Sequence, residues 1–218
     1  MRSTSVTFAL LLCLSSSAWS DGFYIGAGLG PEVTSLNTNT NTVSPGAFNV
    51  NNHSRKAATG LFGTIFGGYA WHYHAYFMAG EVNFNASNVK TTAYNNEFIN
   101  QNFSHTDERM RHSYGLSVLP GYLISPATLL FTRLGYVQSI YSTSTNDPTF
   151  TNMSKHLSGI RFGLGVNQTL NEKVTMRMEY SQAHYQDTAT TVVDGAVTKN
   201  TNITPTTGLV EFSLLYKL

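Results

Sequence analysis

Apolar and polar side chains alternate with a period of two in eight stretches of this chain, at about residues 23–30, 58–70, 75–85, 111–124, 128–141, 156–168, 173–183 and 208–218. Such alternation predicts strands with one apolar and one polar face. The last stretch shows it most fully. Val210, Phe212, Leu214 and Tyr216 fall on one face, and Leu209, Glu211, Ser213, Leu215 and Lys217 on the other. That stretch has the length of a transmembrane strand, roughly 9–11 residues, and carries its aromatics on the apolar face.

The connections sort by parity. Residues 31–57, 86–108, 142–155 and 184–205 are rich in Asn, Thr and Ser, show no periodicity and predict long polar loops. The alternate connections are tight turns at Trp71-His72-Tyr73-His74, Ser125-Pro126-Ala127 and Leu170-Asn171-Glu172. A sandwich does not require turn length to follow parity. An outer-membrane barrel does, with short periplasmic turns at one end and longer extracellular loops at the other. The expected fold is therefore all-β, an eight-stranded antiparallel transmembrane up-and-down β-barrel. In the first strand Gly26, Gly28 and Gly30 share the polar face, where a narrow barrel needs room for long side chains from opposite strands. Pro120 lacks a ladder donor and predicts a local bulge.

Composition agrees with export to a membrane. Arg2, the apolar run Val6 to Leu14 and Ala18-Trp19-Ser20 have the order of a signal peptide. The expected division is a signal peptide at 1–20 and a barrel domain at 21–218. Loss of Cys13 with the signal leaves no disulfide framework. Loss of Arg2 brings the basic residues level with the 12 acidic ones, so no net field draws nucleic acid. Charged residues make up 11% of the chain, against roughly 25% in soluble domains. No later run of about 18 apolar residues predicts a transmembrane helix.

The polar faces contain Glu81, Arg133, Arg161, Arg177, Glu179 and Glu211, with Arg111 near the outer end. Small barrels have interiors that side chains fill, so these charges predict an interior polar network, structural in role or the lining of a gated, porin-like conduit. Trp71, Tyr73, Tyr76, Tyr122 and Tyr216 are expected at the membrane interface, where amphipathic rings gather. His72 and His74 read as part of that girdle, not as metal ligands, and no cofactor is expected. His156 and Ser158 share one strand face near the outer rim, but nucleophilic catalysis also needs a group to orient the histidine, and no acid occupies the matching place on the next strand. The chain is read as a non-enzyme. Apolar islands in the loops (Phe48, Tyr94, Phe98, Ile99, Phe103 and Phe150) either cap the barrel mouth or contact a host ligand.

Four stretches carry a resemblance: Phe23-Tyr24-Ile25-Gly26-Ala27, Phe66-Gly67-Gly68-Tyr69, Thr132-Arg133-Leu134-Gly135 and Arg177-Met178-Glu179-Tyr180. In these the chain resembles the small eight-stranded outer-membrane barrels, the OmpA transmembrane domain and opacity-type surface proteins. The resemblance implies location in the bacterial outer membrane, an internal pair between Glu81 and Arg177, and adhesion or another surface interaction through the loops. A second internal pair of that family falls here on Leu119 and Asn167 and is absent. The final strand resembles the signal read by barrel-assembly machinery, although it ends in Leu218 with its aromatic at Tyr216. The implied partners are outer-membrane lipid, that machinery and a host-surface ligand. Two alternatives stand beside the surface role: a small pore, and an outer-membrane lipid-modifying enzyme similar to lipid A deacylases in its His156–Ser158 pair.

Overall fold

Eight strands of alternating polarity have one way to satisfy every backbone group inside a bilayer, which is to close on themselves. The computed structural model, which describes residues 21–97, 102–146, 153–194 and 197–218, shows that closure. The strands are β1 (Gly22–Ser44), β2 (Phe48–Tyr73), β3 (Tyr76–Ser87), β4 (Lys90–Glu97), β5 (Asn102–Ser125), β6 (Thr128–Thr145), β7 (Met153–Thr169), β8 (Val174–Tyr185), β9 (Thr188–Asp194) and β10 (Val197–Lys217). Eight form an antiparallel ring in the order β1-β2-β3-β5-β6-β7-β8-β10, closed by pairing of β10 with β1. The two short strands, β4 and β9, add to β5 and β10 beyond the ring. The expected signal peptide at 1–20 and the apolar residues Phe98, Ile99 and Phe150 lie outside the described residues.

Within the membrane span the faces follow the predicted alternation. Ile25, Leu29, Ile65, Val82, Leu116, Leu134, Ile160, Leu164, Phe212 and Leu214 are exposed on the outside. Hydrocarbon in place of water removes the usual penalty for such a surface. The inward positions of the same strands are filled. Two apolar clusters occupy the lumen, one of Tyr24, Phe66, Phe77, Leu119, Leu129, Phe131 and Leu215 with two alanines towards the short-turn end, the other around Met110, Val137, Tyr141, Leu157 and Tyr185 towards the far end.

Two expectations about the strands need correction. The stretch 31–57 is not an aperiodic loop. β1 and β2 remain paired from Gly22↔Ala70 up to Ser44↔Phe48. Pro45 and Gly46 turn the chain there, with the Ala47 N–H donating to the Ser44 carbonyl at 3.0 Å and Gly46 at a φ of 79°. Pro followed by a residue of positive φ is the signature of a type II turn. On β1 beyond Leu36 neither face is buried, so the apolar–polar alternation that marks a strand vanishes while the ladder continues. The same holds at 86–108 and 184–205, which contain β4 and β9. The bulge expected at Pro120 is also absent, since pairing keeps register from Val118↔Leu134 to Gly121↔Phe131. The irregularities on β5 lie at Met110–Ser113 and Leu123–Ser125. Pro120 faces outward, and its carbonyl accepts the Thr132 hydroxyl at 3.4 Å.

Gly26 and Gly165 illustrate how the lumen is packed. A Cβ on Gly26 would overlap the Phe66 ring, and one on Gly165 would overlap the Phe131 ring. We therefore expect Gly165→Ala to destabilise the barrel by about 1–3 kcal/mol through overpacking. Urea unfolding in detergent micelles measures this, and an unchanged midpoint would contradict it.

Candidate functional site

The charged inward residues meet at mid-barrel. Glu81 on β3 and Arg177 on β8 come from strands on opposite sides of the eight-stranded ring, and Arg177 Nη1 donates to Glu81 Oε2 at 2.7 Å. Arg133 on β6 lies between them. Its Nη2 donates to Glu81 Oε1 at 2.6 Å and to Glu179 Oε2 at 2.9 Å, and its Nε donates to Glu179 Oε1 at 2.7 Å. Arg161 on β7 extends the chain, donating to Glu179 Oε1 at 3.3 Å and to Ser181 Oγ at 3.0 Å, with Glu211 Oε2 at 3.6 Å. All six charged side chains are at most 2% exposed.

Burial of isolated ions costs several kcal/mol each, and only dense pairing repays it. The geometry provides that pairing with a rigid fork: Arg133 grips Glu179 through two nitrogens, the bidentate mode that favours arginine over lysine. Tyr24 adds a hydroxyl donor to Glu81 Oε2 at 3.0 Å, and Asn167 accepts from Arg177 Nε at 3.1 Å. The Arg177 guanidinium also lies over the rings of Phe66 and Phe131, at 4.8 and 5.0 Å from their centroids. Cation–π attraction strengthens in such a desolvated setting. The two glycine notches are what admit those rings.

Six of the seven charged residues expected inside are thus brought together. Arg111 is not among them. Between Met110 and Ser113 the register on β5 slips against Tyr141 and Ser139 of β6, so one extra residue is accommodated and Arg111 and His112 are both exposed. A bulge of this kind reverses the facing of every residue beyond it. Tyr24, Asn167 and Ser181 were missed, because neutral polar residues on an inward face carry no mark of the ion they will contact. Glu32 was missed because it lies in the stretch read as loop; it is buried facing the lumen of β1.

The expected interfacial aromatics all lie on the outside. Trp71, Tyr73, Tyr76, Tyr122 and Tyr216 are exposed near the short-turn end, with Tyr76 and Tyr122 edge-to-face at 5.6 Å. His72 departs from that belt. Its backbone N–H donates to Asp21 Oδ1 at 2.6 Å, and its ring lies 5.0 Å from Phe77. A second belt that was not anticipated, Tyr114, Tyr136 and Tyr180, lies at the other edge. Their hydroxyls donate to Gln138 or to Ser158, or accept from Gln182. Tyr114 and Tyr122 are eight positions apart on β5, about 27 Å along a strand. At a barrel-strand tilt of about 35–45° this spans roughly 20 Å of the roughly 25 Å apolar band of outer-membrane barrels. His156 and Ser158 share the outward face as expected, and the Ser158 oxygen is bonded to the Tyr136 hydroxyl at 2.7 Å. Among the described residues no group of three or more His, Cys, Asp or Glu is arranged to hold a metal ion.

This architecture has a counterpart in sequence. The outer membrane protein beta-barrel domain family matches residues 6–210. The chain belongs to that family. It is an outer-membrane protein, embedded in lipid by the face described above. Solved structures of similar fold include Ail, the attachment invasion locus protein of Yersinia pestis, at 13% identity over 83% of this chain and 98% of that one, with a TM-score of 0.36. Neisserial surface protein A is similar at 15% identity over 87% and 97%, with a TM-score of 0.40. The outer membrane protease OmpT of Escherichia coli is similar at 8% identity over 94% and 100%, with a TM-score of 0.49. No match is found among curated proteins.

Beyond the membrane a smaller ion cluster joins β4 to β5. Lys90 Nζ and Thr92 Oγ1 each lie 2.8 Å from the Asp107 carboxylate, and Arg109 lies at 3.2 Å. Hydrogen bonding from Lys90, then Thr92, with Arg109 adding to it, holds the Asp107 carboxyl down at about 2.

Two outcomes follow from these geometries. Glu81→Ala leaves Arg133 and Arg177 without their shared carboxylate and should cost about 3–5 kcal/mol, read as a lower urea midpoint and earlier loss of the heat-resistant folded band on gels. Because the Asp107 pKa is depressed in the fold, its contribution is complete above about pH 4 and is lost as pH falls through about 2. NMR signals of the β4–β5 pairing should therefore weaken across that window in the native protein, and the weakening should be absent in Asp107→Asn.

Proposed function

We propose that this barrel is a closed anchor that presents a β-sheet at the cell surface for adhesion-like contact. The observation that carries the reading is the continuation of the ring strands beyond the apolar band. From Thr34 to Ser44, β1 runs about 35 Å further along its length. It stays paired with β2 on one side and β10 on the other, while β9 adds to β10. The result is a four-stranded sheet in the order β9-β10-β1-β2 in place of mobile loops. Its outward face is a run of amides, with Asn41 donating to Asn49 and Asn51, and Thr191 donating to Asn200 at 2.8 Å. The pairing of β1 and β10 on both sides and the cross-strand hydrogen bonds make such a surface stiff, and a rigid platform lowers the ordering cost of binding.

The interior supports an anchor in preference to a pore. Apolar clusters lie above and below the ion-paired belt, so a permeating ion would have to break paired charges and pass between apolar walls on both sides of them. His156 and Ser158 share an outward face, but the Ser158 oxygen accepts from the Tyr136 hydroxyl, which does not favour the lipid-modifying reading. A host-surface ligand is the proposed partner of the sheet. Barrel-assembly machinery is the proposed partner of β10, whose outward face carries Phe212, Leu214 and Tyr216.

Purified protein in planar bilayers should show no discrete conductance steps. Cells displaying a variant in which residues 37–55 are replaced by a two-residue turn, which keeps Leu36 opposite Lys56, should attach to host cells less than cells displaying the native chain at equal surface level. Stable channel openings, or attachment that survives the trimming unchanged, would count against the reading.

A further inference from the structure

Below the ion belt, the short-turn end of the lumen opens into a vestibule with a cavity volume of about 50 Å³. A single water needs about 10–15 Å³ on that measure, so the space holds several waters or one small polyatomic ion. Tyr24, Phe77 and Leu215 form its apolar wall; Arg177 lines its inner end and Lys217 its rim.

Arg177 has an unmet demand there. Its Nε is bonded to Asn167 and its Nη1 to Glu81, but Nη2 has no partner although the side chain is fully buried. Phe66 and Phe131 cover the guanidinium, which confines the remaining N–H donors to its edge. Buried donors of a charged group are seldom left unpaired, and a guanidinium edge fits an oxyanion better than it fits a lone water. The other charges at the mouth are Lys173 and Glu172, which also line it, and Asp21, which is bonded to His72. Lys173 Nζ leans over the outward ring of Tyr216, 5.9 Å from its centroid. Lys217 is therefore the cation at the rim best placed to meet an incoming anion.

We infer that the vestibule is a binding site for a small oxyanion, a carboxylate or phosphate group entering from the periplasmic side. One oxygen accepts from Arg177 Nη2 at the inner end, and Lys217 neutralises the group at the rim. This site lies at the opposite end of the barrel from the surface sheet and stands or falls independently of the adhesion reading.

The test uses the purified full-length barrel in micelles, with the Arg177 side-chain and Thr175 backbone NMR signals followed during titration. Inorganic phosphate and sodium acetate are the probes, and sodium chloride at matched ionic strength is the control. Saturable shifts with either oxyanion beyond the chloride control are expected, and whichever of the two saturates at lower concentration identifies a phosphate or a carboxylate as the preferred group. Lys217→Gln lies outside the Arg–Glu network, so it should leave the fold intact while weakening binding about two- to fivefold, the range for one partly exposed charge. Shifts no larger than those with chloride would mean that water alone serves Nη2 and would overturn the site, as would an affinity unchanged in Lys217→Gln.

Discussion

Six ionisable side chains in the lumen of a narrow barrel set the terms for the rest of this structure. Each must find its counter-charge within a space no wider than the side chains themselves, because desolvation is too costly to leave any of them alone. The solution is a belt in which Glu81 serves Arg133 and Arg177, Glu179 serves Arg133 and Arg161, and Glu211 stands 3.6 Å from Arg161 at its end. Around it the sequence makes room where rings must enter, at Gly26 and Gly165, and supplies neutral partners, Tyr24, Asn167 and Ser181, where the ions leave donors or acceptors over. A belt of this kind is not needed for stability as such, since apolar residues of similar volume often do as well. What it does fix is which strands face one another across the lumen.

The bilayer imposes the complementary constraint on the outside. Apolar residues between two aromatic belts define the membrane-spanning part, and ring closure removes any free sheet edge within it. Above the upper belt the same strands continue into water. There the pairing of asparagine and threonine side chains across strands takes over from burial as the source of register. The anchor and the surface sheet are thus one continuous set of strands governed by two solvents.

Much of this was legible along the chain because a period of two reports which medium each face meets. Glu81, Arg133, Arg161, Arg177, Glu179 and Glu211 all fall on the face opposite the lipid-facing residues, and that alone gathers them. The pattern fails where its physical basis fails. From Asn37 to Thr42 both faces are polar, so a strand that turns at Pro45-Gly46 reads as a loop. Arg111 was placed inside because counting by two cannot see the extra residue between Met110 and Ser113. The pairing of individual ions was beyond the pattern too, except for Glu81 and Arg177, which came from family resemblance. Contacts across a lumen depend on register around the whole ring, and register is a property of every strand pair at once.

A double-mutant cycle on Arg133 and Glu179 tests the belt most directly, with Arg133→Met, Glu179→Gln and the double variant unfolded by urea in the same micelles. If these two side chains form one buried unit, the losses in the single variants exceed what additivity allows, and the coupling energy falls at about 0.5–3 kcal/mol. Losses that add within about 0.3–0.5 kcal/mol would mean that the two charges are served separately and that no cooperative belt spans the lumen.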